Sequence, residues 1–100
     1  MFAMSMPESE NDHVVLLGTK GGPAVYPAAP DRMPTSSLLC LADEQVLIDC
    51  GLGVTGRLVQ AGVDLKTLST IIITHLHSDH YLELGPLVHT AWTAGLKAPV

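Results

Sequence analysis

The sequence predicts an α/β fold in which a mixed β-sheet is flanked by helices. Three observations predict it. Short apolar runs and amphipathic stretches follow one another in the order β, ββ, α, β, α, with a further strand approaching at the end. Apolar residues make up 47% of the chain and charged residues 15%, a packed composition rather than a disordered one. The apolar run of residues 71–80, IIITHLHSDH, ends in a cluster of polar side chains, as a strand does when it delivers residues to a site.

Residues 1–12 read as a loose tail of methionines, Ser and acids, with neither the basic start nor the long apolar stretch of a signal peptide. His13 to Leu17 (HVVLL) reads as a strand stopped by Gly18. Residues 19–34 hold four prolines and two glycines, a density that no regular element survives, so they form a long loop. Ser36 to Ala42 and Gln45 to Cys50 form a hairpin around a turn at Asp43-Glu44. Neither strand alternates cleanly, which predicts burial on both faces. After Gly51-Leu52-Gly53 a short helix presents Val54, Leu58 and Ala61 on one face and ends at Gly62. Asp64 is placed to cap one helical turn through Leu68. Thr70 to Thr74 is the next strand, buried through its isoleucines. The stretch from Tyr81 to Leu96 reads as helical, interrupted at Gly85-Pro86.

One hundred residues bound the chain to one small domain, and a mean hydropathy of +0.34 is high for such a domain standing alone. These residues are expected to pack against more protein. A formal charge of −5 lacks the basic footprint of a nucleic-acid-binding segment. Cys40 and Cys50 are too few for a disulfide framework and lack metal-type spacing, which favours a reduced, cytoplasmic setting. No apolar run reaches the roughly 18 residues of a membrane span, so no membrane partner is expected.

Of five histidines, three lie between positions 75 and 80. In extended chain, residues i and i+2 point to one face, so His75 and His77 project together while Leu76 is expected to point into the core. Asp79 and His80 enter a helix and aim at a second point nearby, where the helix N-terminus would add partial positive charge. The cluster therefore reads as two neighbouring metal positions. Imidazole with carboxylate suits Zn²⁺, with Mn²⁺ or Fe²⁺ as alternatives. A lone strand-end histidine is ordinarily just solvated, and H-x-H by itself is weak. Three histidines and an aspartate in six positions are a stronger signal.

THLHSDH (74–80) resembles the H-x-H-x-D-H signature of the metallo-β-lactamase superfamily of binuclear metal hydrolases. LLGTKGGP (16–23), LIDCGLGVTGRLVQAGV (47–63) and IIITHLHSDHYLELGPL (71–87) are similar, in order, to segments of its ribonuclease Z-like branch. The likeness runs through nearly all of the chain from His13. It implies that residues 13–100 are the N-terminal portion of an αββα sandwich, incomplete at the C-terminus. It implies two Zn²⁺ ions in the complete protein, the first on His75 and His77 and the second on Asp79 and His80. Asp49 matches the family's strand-end aspartate, which hydrogen-bonds near the ligands; an acid that merely closes a hairpin strand is the alternative. The family's remaining ligands, two histidines and a bridging aspartate, would lie beyond Val100. His13 and His89 fall outside the pattern and read as structural or exposed.

Two metals about 3.5–4 Å apart can generate hydroxide from a bridging water at neutral pH, and Asp79 could orient it or take its proton as a catalytic residue. The resemblance thus implies a metal-dependent hydrolase acting on a phosphodiester such as an RNA 3′ end. An arylsulfatase-like or lactonase-type enzyme acting on a small-molecule ester is the alternative. The acid-rich composition and the long Pro-rich loop lean towards the small molecule. Lys20 and Arg32 on that loop are candidates for an anion contact, with ordinary solvated charges the better reading. A reading of another class is a truncated, non-catalytic fragment with half a metal site. Its half-sheet would expose an apolar face and drive homodimerisation or aggregation.

Overall fold

The computed structural model describes residues 12–100. The tail expected over residues 1–12 lies outside the described residues except for Asp12. That carboxylate accepts the Ala42 amide at 2.9 Å and so fastens the start of the first strand to the hairpin turn.

Four strands form one mixed sheet in the order β1-β2-β3-β4. β1 (His13–Gly18), β2 (Ser36–Leu41) and β3 (Glu44–Ile48) pair antiparallel, and β4 (Thr70–Ile72) joins the edge parallel to β3. The hairpin turns at Ala42 and Asp43, with Ala42 at φ 46°, and Glu44 already belongs to β3. A left-handed residue in a two-residue turn matches the twist of the flanking strands, which shifts the turn one position from the expected Asp43-Glu44. Between β1 and β2 the proline-rich residues 19–34 form no element beyond an isolated bridge between Lys20 and Pro34.

Register assigns the two faces of the sheet. Val15, Leu38, Leu47 and Ile71 are paired across the four strands. Their row packs with helices α1 (Val54–Gln60) and α3 (Leu84–Thr93) into one core that also holds Leu58, Leu87 and Ala91. The opposite face carries Val14, Leu16, Leu41 and Ile72, all exposed. Burial on both faces was the expectation for the hairpin strands; instead β2 alternates between buried and more open positions. Its residues are apolar on both faces, but the described helices cover only one. β4 likewise is not a buried strand: Ile72 is 48% exposed, while Ile71 and Ile73 pack against the core. A three-residue strand at the sheet edge has a neighbour on one side only.

Each long helix ends as its glycine dictates. Gly62 and Gly95 adopt φ 86° and 112°. After α1 the amides of Gly62 and Val63 return to Val59 and Leu58, and after α3 those of Gly95 and Leu96 return to Trp92 and Ala91. Both are paired 5→2 and 6→1 closures that satisfy the last carbonyls. Asp64 accepts the Lys66 amide and caps the single 3-10 turn Leu65–Thr67. The helical break predicted at Gly85-Pro86 falls earlier, at Leu82-Glu83, between α2 (Ser78–Tyr81) and α3. Pro86 sits in the first turn of α3, where an absent N–H removes no hydrogen bond. Among the described residues no helix is long and apolar enough to cross a membrane.

Candidate functional site

The site is built where β3 and β4 end side by side. β3 stops at Ile48, and Asp49 turns the chain with φ 66° while its amide donates to Ile72 O at 2.8 Å. Aspartate tolerates this left-handed conformation better than most residues. Its buried carboxylate then collects three groups. Oδ1 accepts the Thr74 amide at 2.8 Å, and Oδ2 accepts the Thr74 hydroxyl at 2.9 Å and His80 Nδ1 at 2.7 Å. Burial pushes the Asp49 carboxyl up. The Thr74 amide, His80 and the Thr74 hydroxyl outweigh it and hold the group below its ordinary 3.8.

His75, His77, Asp79 and His80 follow within six residues and are brought together. His75 Nε2 lies 3.2 Å from His77 Nδ1, and His80 Nε2 lies 3.5 Å from Asp79 Oδ2. The His75 ring centroid is 4.6 Å from that of His77 and 3.9 Å from that of His80. Two donors on one tetrahedral zinc, each at about 2.0–2.1 Å, sit about 3.3–3.4 Å from one another. Both pairs have that spacing, and His80, held through Nδ1 by Asp49, keeps Nε2 on the Asp79 side. Among the described residues no group of three or more His, Cys, Asp or Glu side chains is disposed to hold an ion, so the donors come as pairs.

Leu76 does not anchor this pair from the core; it is 83% exposed. β4 ends at Ile72, so the strand alternation that would have buried it does not extend that far. The helix that carries Asp79 and His80, α2, is one turn, which leaves local amides rather than a macrodipole to act on Asp79. The amide that reaches Asp79 comes instead from the proline-rich loop, Gly22 N–H to Oδ2 at 3.2 Å.

A second layer of backbone bonds holds the segment of residues 80–83 against the end of β3. Cys50 N–H donates to His80 O at 2.7 Å, and Glu83 N–H donates to Cys50 O at 3.0 Å. A Cβ on Gly51 would stand 2.8 Å from Thr35 O and 2.9 Å from Asp79 O, so only glycine admits this approach. The Cys50 thiol is fully buried. Burial, reinforced by the Asp49 and Glu83 charges, pushes it up to about 12, which leaves it a core residue rather than a ligand or nucleophile.

The other sequence candidates stay apart. Lys20 turns its ammonium onto Gly21 O at 2.8 Å and lies 5.2 Å over the Tyr26 ring, while Arg32 is exposed on the loop. His13 is exposed at the start of β1, and His89 is exposed on α3 with its ring 5.8 Å from Trp92. Three participants escaped sequence reasoning. Thr74 stands inside the quoted motif, where a hydroxyl beside two histidines was the available signal. Gly22 and Glu83 act over separations of 57 and 28–30 residues, which no local pattern reveals.

A mixed sheet with helices on one face, with paired histidines and an aspartate gathered just beyond a strand end, defines an α/β protein with a histidine-rich site. The chain belongs to the metallo-β-lactamase superfamily, whose sequence profile matches residues 29–100. Ribonuclease Z of Mycobacterium marinum (strain ATCC BAA-535 / M) is 41% identical over 85 residues, covering 85% of this chain and 29% of that protein. Ribonuclease Z of Mycobacterium sp. (strain KMS) is 43% identical over 81 residues, covering 79% and 26%. Among solved structures, human tRNase Z, short form, superposes with a TM-score of 0.66 at 36% identity, over 78% of this chain and 29% of that one. The metallo-β-lactamase fold protein YhfI of Bacillus subtilis gives 0.67 at 25% identity, over 84% and 33%. The chain thus spans under a third of the length of the M. marinum relative.

Proposed function

We propose that this chain carries the amino-terminal metal ligands of a ribonuclease Z-type hydrolase whose substrate is a phosphodiester at an RNA 3′ end. The observation that carries the reading is the donor spacing, 3.2 Å for His75 with His77 and 3.5 Å for Asp79 with His80, together with Asp49 behind His80. His75 and His77 would hold one zinc, and Asp79 and His80 the other, with Mn²⁺ or Fe²⁺ as alternative ions. When bound, such ions supply an activated water and neutralise charge on the phosphate under attack. The remaining work belongs to the chain. Asp49 fixes the His80 ring with its proton on Nδ1, leaving Nε2 as a donor atom. Asp79 offers a carboxylate oxygen for a proton, and the Gly22 amide restrains that carboxylate. Two buried free thiols, Cys40 and Cys50, support a reducing compartment such as the cytoplasm.

The test is zinc analysis of the native protein that carries this sequence, paired with cleavage of a 3′-extended tRNA precursor. Zinc-dependent cleavage that His77→Ala and Asp79→Ala each lower by about 10²-fold or more is the expected result. A zinc-loaded protein that leaves RNA intact but opens an aryl sulfate or a lactone would move the assignment to a small-molecule ester. Inertness towards all three would end the hydrolase reading. For the 100-residue chain by itself, the pairwise donor set favours weak metal binding and no turnover.

A further inference from the structure

We infer that Glu83 is a positioning residue for His80 and Asp79, setting the ligand geometry from outside the site. This rests on the metal reading above, and its evidence is a continuous line of contacts. Segments 49–53 and 79–83 lie against each other along their length. Asp49 Oδ2 meets His80 Nδ1 at 2.7 Å. Cys50 is bonded on both sides, through its N–H to His80 O at 2.7 Å and through its carbonyl to Glu83 N–H at 3.0 Å. Gly51 leaves no room for a Cβ beside Asp79 O, which a Cβ would approach to 2.9 Å.

Glu83 closes the far end. Its carboxylate spans the first turn of α1, Oε1 accepting the Gly53 amide at 2.7 Å and Oε2 the Thr55 amide at 2.9 Å. These amides have no intrahelical partner, and α1 lacks a side-chain cap at its own N-cap residue, Gly53. A cap supplied from 28–30 residues downstream does more than satisfy donors. It ties the start of a helix packed in the core to the residue directly after the ligand-bearing turn. With Glu83 fixed at carboxylate and amide, the turn carrying Asp79 and His80 cannot slide along segment 49–53. The Asp49–His80 bond is thereby kept in register.

The experiment compares wild type with Glu83→Ala and the milder Glu83→Gln, and with Asp64→Ala, which removes a cap outside the site. Stability, Co²⁺ affinity and the visible Co²⁺ spectrum are measured on the native protein. Imidazole ¹⁵N resonances of His80 are recorded without metal. Glu83→Gln is expected to weaken Co²⁺ binding about 10-fold or more, to alter the Co²⁺ bands and to move the His80 Nδ1 resonance. Asp64→Ala should lower stability and leave the other readouts unchanged. If both Glu83 variants lose stability while affinity, bands and His80 resonances match wild type, Glu83 is a helix cap and nothing more. Wild-type protein that binds no Co²⁺ would overturn the metal reading instead. The His80 resonances would then decide the positioning role alone.

Discussion

The two oxygens of Asp49 serve Thr74 twice and His80 once, from a backbone at φ 66°. Asparagine keeps the left-handed preference and can still accept the Thr74 amide. Its amide nitrogen, however, presents hydrogens to His80 Nδ1 and favours the opposite tautomer. Asp49→Asn should therefore cost only about 1 kcal/mol of stability while lowering metal affinity about 10–100-fold, read by urea unfolding and by competition with a chelating dye. Equal, small losses in both would reduce Asp49 to a strand-closing acid. Its neighbour Cys50 sets a pH prediction. The thiol is pushed from 9.0 to about 12 in the folded chain. Unfolded chain releases this proton first, so the stability from keeping it is complete below about pH 9 and falls as pH rises. The loss is at most about 1.4 kcal/mol per pH unit up to about pH 12. Urea midpoints between about pH 8 and about pH 10 should drop more steeply for wild type than for Cys50→Ala. Parallel slopes would show that the burial of Cys50 does not govern its ionisation.

At the scale of elements, the junction between β3 and α1 decides how the histidine-rich segment docks. Gly51→Ala would thrust a methyl into Thr35 O and Asp79 O, both backbone atoms with little freedom to yield. Overpacking of this kind costs about 1–3 kcal/mol, and here it should also displace Asp79. The expected outcome is a lowered urea midpoint together with weakened metal binding; an unchanged midpoint would mean that the two segments part without cost. Gly51-Leu52-Gly53 was legible in the sequence as a strand breaker, and so were the strands, α1 with its Gly62 end, and the Asp64 turn. What stayed hidden was the reason for Gly51, because the atoms it must admit belong to residues 35 and 79. The other misreadings have the same origin. Ile72 and Leu76 read as buried because composition reports hydrophobicity and not the number of neighbouring strands. Gly85-Pro86 read as a break because a proline in the first turn and one beyond the end look alike until the preceding residues are seen to leave the helix. The donor cluster was legible because its four members are neighbours in sequence; Gly22 and Glu83 join that segment only by tertiary contacts, and the role of Thr74 depends on Asp49, 25 residues away.

Among the described residues the sheet has one face under helices and the other uncovered. Val14 and Leu16 are 55% and 65% exposed, Leu41 and Ile72 40% and 48%, and all four lie on the face away from α1 and α3. Leu39, Val46 and Ile48 lie between them on the same face. The mean hydropathy of +0.34 thus reflects a second apolar surface more than a larger core. Removing such a surface from water gains about 25 cal/mol per Å², and contiguous apolar patches this broad are uncommon on monomers. The 100-residue chain alone should therefore associate face to face, and sedimentation velocity should show its average mass rising with concentration. Leu16→Lys places a charge on the bare face along its β1 edge and should shift the population to monomer. Val59→Lys is the control, since Val59 is 56% exposed on α1, on the covered side of the sheet, and its charge would meet only water. If both variants behave alike, association does not use the bare face. If wild type stays monomeric at every concentration and binds no apolar dye, the face is too small or too interrupted to drive it. Dissociation by Leu16→Lys alone would place the contact on the row that pairs Leu16 through Ser37 and Ile48 to Ile72.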